Sequence, residues 1–423
     1  MSRPDPNARL ARRHRAEKRF RAYGLAAIGT ALAILAVLFG SIVVGGWAAF
    51  FRSEVALSIH FDAESVDPLG DRSPESLGDG SYGALVKRAL RERFPEVTSR
   101  REKRDLYRLV SIGADFQLRE LVMADPGAVG ETRVVSLPLS DDADLYVRGR
   151  ISKAVAEDER RLSDAEIAWL DDLDARGEID VVFDSSFFLA GDSREPELAG
   201  IGGALVGSAL TLLVTLVLCF PLGVASAIYL EEFAPESRWT DLVEININNL
   251  AAVPSVIFGV LGLAVFLGMA GLPRSIPLVG GLVLAIRTLP IIIISARAAL
   301  AAVPPSIREA AMGIGASPIQ IVAHHVLPVA MPGILTGTII GMAQALGETA
   351  PLLMIGMVAF VVDVPTGFDS PATVLPVQIY LWAEAAERAF ETKTSGAIIV
   401  LLGFLVAMNG LAVWLRQRFE QRF

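Results

Sequence analysis

Three charged residues stand inside stretches that are otherwise apolar: Arg287 in "VLAIRTLPIIII", Arg297 in "ISARAAL" and Glu348 in "QALGETAPLL". A charge held in hydrocarbon costs several kcal/mol, so such residues are functional candidates by default. Arg287 is the candidate for lining a path through the membrane, because a guanidinium fork suits an anion. Arg297 lies nearer the end of its stretch and is expected to snorkel to the interface. Glu348 falls about 22 Å along its helix from Gly333 at ~1.5 Å per residue. It is expected to pair with an arginine, in this chain or a partner, or to cap the break at Pro351.

Other chemistry is sparse. His324 and His325 are adjacent, so their side chains diverge on a helix and make a poor metal pair. His60 is isolated in sequence. Cys219 is the only cysteine, which excludes a disulfide framework within the chain and a cysteine-type metal site. The sequence contains no Gly-Lys pair, hence no Walker A loop to cradle ATP. No Ser/His/Asp arrangement suggests enzyme chemistry.

The densest local signal is "SIREAAMGIGASPIQIVAHHVLP", residues 306–328. Ser306 and Glu309 are spaced as a capping box after Pro304 and Pro305. A short helix is expected from Ile307, and Gly315 can take the left-handed conformation that ends it. Ser317 is a good N-cap and Pro318 suits the first helical position. A second helix should run to about Val326, with Pro328 discouraging its continuation. By spacing alone, this is either a well-capped connector or a docking element.

These residues need a membrane scaffold, and the composition supplies one. Of 423 residues, 52% are hydrophobic and only 20% charged, which fits a polytopic membrane protein carrying a soluble part. The net charge of -9 is segregated: residues 1–22 are basic, and residues 52–198 are acidic. Residues 23–51 are long enough to span the bilayer, which takes roughly 20 apolar residues. They are too long for the apolar part of a cleaved signal peptide, about 7–15 residues, so a retained anchor is expected. Five further spans are expected at about 200–230, 242–269, 277–301, 329–360 and 395–415. Pro254 and Pro290 mark kinks or breaks in two of them.

The basic tail predicts a cytoplasmic N-terminus, with residues 52–198 on the far side. The spans then alternate so that 302–328 and the arginine-bearing end "RQRFEQRF" are cytoplasmic. Residues 52–198 mix period-2 runs ("VALSIHFD", "TRVVSLPL", "IDVVFDSSFF") with helical ones ("YGALVKRALRERF", "RDLYRLVSIGADFQLRELVMA"). The expected fold is an all-α membrane domain of six helices with an α+β domain inserted between the first and second. The acidic balance offers no footprint for nucleic acid.

"EAAMGIGASPIQIVAHHVLP" resembles the cytoplasmic-loop signature of ABC-importer permeases. The matching positions are Glu309, Ala310, Ala311, Gly315, Leu327 and Pro328. His325 stands where the family has Ile, and Val326 beside it could fill the apolar pocket. "GGALVGSALTLLVTLVLCFPLGVASAIYLEEFAP" (202–235), "NNLAAVPSVIFGVLGLAVF" (248–266) and "GETAPLLMIG" (347–356) resemble the phosphate-specific permeases, the A-type subunit of the Pst system. The resemblance covers roughly residues 198–420. Residues 52–198 look like an N-terminal extension found in some members, whose role it does not imply.

The resemblance implies a bacterial inner-membrane subunit that works with a second permease, two ATP-binding cassette subunits and a periplasmic phosphate-binding protein. ATP and Mg would be bound by the cassette subunits, with no cofactor on this chain. In that family the loop, here 302–328 with Ser306 at its start, forms coupling helices that dock into the ATPase. Reporting to a sensor kinase is also compatible with it. Family members carry further arginines where this chain has Ile294 and Gln344. The alternatives are another oxyanion, sulfate or molybdate, or a membrane-anchored sensor.

Overall fold

The computed structural model describes residues 6–419, and the side chains of residues 13–418. The first five residues of the basic tail and the last four residues of the chain, Arg422 among them, lie outside the described residues. The first helix, Pro6–Gly46, is longer than the apolar run because the basic tail continues it. It packs against the last helix, Ala389–Phe419. A short turn, Trp47–Phe50, leads directly into strand β1, Phe51–His60.

β1 is the centre of a three-stranded antiparallel sheet with β2, Thr132–Pro138, and β3, Ile179–Phe183, in the order β2-β1-β3. Alternation sets the faces. Val55, Leu57 and Ile59 are buried, while Ser58 and His60 are exposed. Helices Tyr82–Arg93, Gly113–Ala124 and Asp164–Ala175 cover the buried face with Leu85, Leu90, Leu118 and Leu170. The last is held by a complete capping box between Ser163 and Glu166. The run 104–124, expected as one helix, is two: Arg100–Tyr107 and Gly113–Ala124. Between them the chain drops onto the sheet end, where Val110 bridges Leu139 and the Ser111 amide bonds to the Pro138 carbonyl at 2.9 Å.

In the membrane half, five helices among the described residues are long and apolar enough to span, or six if one bent pair counts as a span. That pair corrects the span expected at 242–269. Arg238–Ala251 and Ser255–Met269 meet at 100°. Pro254, with no N–H and a preceding residue pushed out of the helical region, separates them. Pro290, by contrast, lies inside an unbroken helix, Pro277–Ala301.

The span expected at 329–360 is also corrected. Its helix runs continuously over Pro318–Leu346 and ends before "GETAP". Pro328 does not stop it, because the turn before it, Ile321–Val326, widens to π geometry and absorbs the missing donor. A short helix, Ala350–Met354, follows the break.

Small residues set the close packing expected between membrane helices. A side chain on Gly337 would overlap Ser295 of helix Pro277–Ala301. Gly333 and Gly341 stand one turn to either side, so the two helices meet along one glycine stripe.

Candidate functional site

The loop 302–328 folds as one short helix, a turn, and the first turns of the continuous helix Pro318–Leu346, so the second helix expected to stop at Val326 is the start of the next span. The short helix is Pro305–Gly313, with Pro304 at its N-cap and no side-chain cap. The capping box expected between Ser306 and Glu309 is therefore absent. With Pro305 already in the first helical position, Ser306 lies inside the helix rather than ahead of it. Glu309 is exposed instead of folding back.

What holds this helix is Arg308. Its guanidinium takes the Glu232 carboxylate at 2.6 and 3.2 Å. It also donates to the carbonyls of Leu300 at 3.0 Å and Val303 at 2.8 Å. The Leu300 carbonyl lies in the last turn of helix Pro277–Ala301, where it also accepts from the Val303 amide at 3.1 Å, and a cation there suits the helix dipole. Hydrogen bonding to Glu232, outweighing burial, raises the Arg308 pKa further and keeps the group charged. Arg308 escaped the sequence reading; its position just past the end of an apolar helix was the available signal.

The turn follows the local rules. Gly315 has φ +84°. Its amide bonds to Met312 at 2.9 Å, and that of Ala316 to Ala311 at 3.1 Å, closing the helix end. Ser317 and Gln320 form the complete capping box of the second helix, with Pro318 behind the cap.

Ala311, Ile321 and Val326 are buried against Ala296, Leu300 and Val303. Val326, rather than His325, is the fully buried residue. Leu327 and Pro328 are half-buried where the pair passes into the next span. Facing outward are Glu309, Ala310 and three large apolar residues: Met312, Ile314 and Ile319, the last two 80% and 72% exposed.

The candidate membrane charges fall into two groups. The Arg297 side chain is 26% exposed and is held by two carboxylates. It bridges Glu231 at 3.2 Å and Glu244 at 2.8 Å, tying together three helices beside the Glu232–Arg308 pair. Arg287 and Glu348 meet in a separate ion pair, with side chains only 12% and 15% exposed. One guanidinium nitrogen of Arg287, Nη1, is buried without a hydrogen-bond partner. The two arginines stand ten positions apart on one helix, about 15 Å at ~1.5 Å per residue. Ile294 and Gln344 are exposed. His324 is exposed, and among the described residues no group of His, Cys, Asp or Glu has metal-site geometry.

Residues 219–423 match the family described as "binding-protein-dependent transport system inner membrane component", and residues 7–157 match a domain of unknown function, DUF3333. The chain is 30% identical over 224 residues to "Phosphate transport system permease protein PstA 2" of Mycobacterium bovis, covering 52% of this chain and 73% of that protein. It is 28% identical over 228 residues to "Phosphate transport system permease protein PstA 1" of Mycobacterium tuberculosis, covering 54% and 74%. It is also 28% identical over 228 residues to "Probable ABC transporter permease protein YqgI" of Bacillus subtilis, covering 51% and 77%. Among solved structures, an inward-facing form of the MetNI methionine ABC transporter aligns with a TM-score of 0.42 and 18% identity, over 52% of this chain and 96% of that one. With its polytopic helical half and the signature loop folded as a helix pair, the chain belongs to the binding-protein-dependent inner-membrane components, as an ABC importer permease of the PstA type.

Proposed function

We propose that this permease carries phosphate and is driven by a separate ATPase docked on residues 305–326. The helix pair supports this reading most directly. It is fastened to the spans by Arg308 and Glu232 at 2.6 Å, while Met312, Ile314 and Ile319 face outward. Large apolar residues presented on a rigid, charged-anchored element suit a protein groove better than water. Movement of the pair would reach the helix Pro277–Ala301 through Arg308 and the bent pair through Arg297 and Glu244.

Phosphate as solute is supported by the names of the relatives and by the "GETAPLL" segment. Arg287 and Glu348 stand at that segment. In this reading the unpartnered Nη1 of Arg287 meets the anion while Glu348 holds the guanidinium in place.

The remaining parts would be a second permease, two cassette subunits that bind ATP and Mg, and a solute-binding protein on the side of residues 52–198. Both termini would be cytoplasmic and residues 52–198 periplasmic. Signalling through a sensor kinase is a compatible extra role.

The test is uptake of labelled phosphate in cells deleted for this chain and then complemented, with sulfate and molybdate as competitors. Restored, energy-dependent uptake that resists both competitors supports the reading. Unchanged phosphate uptake in the deletion overturns phosphate as the solute.

A further inference from the structure

Where the soluble domain meets the last span, a cavity of about 300 Å³ opens between the loop 148–162 and the start of helix Ala389–Phe419. Four arginines line it: Arg150, Arg160, Arg161 and Arg388. Among the described residues, Arg150 and Arg388 have no carboxylate within 4.0 Å, and the nearest to Arg161 is Asp142, at that limit. Arg160 is the most telling. Its side chain is 4% exposed, its terminal nitrogen is engaged by Asp164, and its Nε is buried with no partner. An unmet donor on a buried guanidinium is costly, so it marks a place where an acceptor belongs.

We infer that this cavity binds a phosphate group. Guanidinium groups recognise phosphate oxygens through paired, charge-assisted hydrogen bonds, and several converging arginines suit a tetrahedral anion better than one carboxylate. The location narrows the source. Arg150 donates to the Val44 carbonyl at 3.1 Å, at the end of the first span, and Arg161 to Ala386 at 3.5 Å, just before the last. The cavity therefore lies at the membrane surface on the soluble domain's side, where phospholipid head groups are. Asp142, Glu159 and Glu391 share its wall. They oppose a free dianion but match the ammonium of a zwitterionic head group, so the mixed lining favours a phosphoethanolamine-type lipid.

The inference does not depend on the transported solute. Its test uses the full chain extracted in mild detergent, with Arg161→Gln/Arg388→Gln as the variant and Arg101→Gln, an exposed arginine of helix Arg100–Tyr107, as a control outside the cavity. Retained phospholipid is measured by mass spectrometry, and binding of radiolabelled orthophosphate by equilibrium dialysis of the same protein after lipid removal. The expected result is stoichiometric binding in one arm that falls about tenfold or more in the double variant and persists in Arg101→Gln. Loss in the lipid arm identifies a head group; loss in the orthophosphate arm identifies the free anion. Equal retention in both arms by the native and double-variant chains overturns the inference. Because Arg161 and Arg388 are both exposed, the double variant is expected to keep its helical content, which circular dichroism checks.

Discussion

Arg308 joins the end of one span to the helix Pro305–Gly313, and a single guanidinium donates to three groups there. Replacing it with Ala removes hydrogen bonds to a charged partner worth roughly 1.5–3 kcal/mol and the side-chain contact with the Val303 carbonyl. Uptake should fall at least several-fold while the protein still inserts. The exchange Arg308→Glu/Glu232→Arg should recover part of it; no recovery would place the role of Arg308 in its carbonyl contacts alone. The Arg287–Glu348 pair predicts a different pattern. Glu348→Gln leaves a guanidinium unpaired in a largely dry place, at a cost of about 3–5 kcal/mol, and should lower the thermal stability of the purified protein. Arg287→Leu/Glu348→Leu should restore stability but not uptake. Uptake returning with the double variant would assign the pair to structure only.

At the scale of elements, the helix pair around Gly315 depends on one backbone conformation. Gly315 at φ +84° has open space around it, so steric room is not the constraint there. Proline cannot reach that φ, whereas alanine reaches it at roughly 1–2 kcal/mol. Gly315→Pro should abolish uptake with insertion intact, and Gly315→Ala should only reduce it. Glu309→Lys keeps the helix, because Glu309 is exposed and caps nothing, yet reverses the charge of the outward face. Abolished uptake, with the ATPase no longer co-purifying, is the expected outcome. Normal uptake in both Gly315→Pro and Glu309→Lys would remove the coupling role from this pair.

For the whole molecule, the soluble domain is built into the membrane half rather than tethered to it. Asp184, at the end of β3, is fully buried and bonds to Lys393 of the last span at 3.0 Å, with Arg52 at 3.7 Å. Phe50, Phe187 and Trp382 pack around this contact. Trp382 donates to Asp192 at 2.9 Å. Burial pushes the Asp184 carboxyl up, but the Lys393 ammonium and the Ser186 hydroxyl outweigh it and hold the carboxyl below its usual range. A carboxyl depressed in the folded state contributes stability above its unfolded pKa and loses it as pH falls through the folded one. The clamp should therefore be intact at neutral pH and fail only below about pH 4. Asp184→Asn leaves Lys393 uncompensated, which costs about 3–5 kcal/mol. It should make residues 52–198 protease-sensitive at neutral pH; unchanged digestion would show that the aromatic packing alone holds the domain.

The local grammar of the chain was legible without coordinates. Apolar run lengths mark the membrane helices, alternation in "VALSIHFD" and "TRVVSLPL" marks β1 and β2, and Gly315, Ser317 and Pro318 mark the turn after helix Pro305–Gly313. These depend on period and on single-residue backbone preference, which neighbours in sequence carry. The false capping box at Ser306 came from the same local rules, overruled by two prolines that moved the helix start. The 100° turn at Pro254 also lay beyond them, since a proline permits a break but packing sets its angle.

The partnerships were decided only in three dimensions: Glu232 with Arg308 across 76 positions, Arg287 with Glu348, and Asp184 with Lys393 across 209. A sequence shows that a charge in an apolar setting must be neutralised. Which opposite charge comes within reach is decided by helices packing on glycine stripes and by a domain folding onto a span.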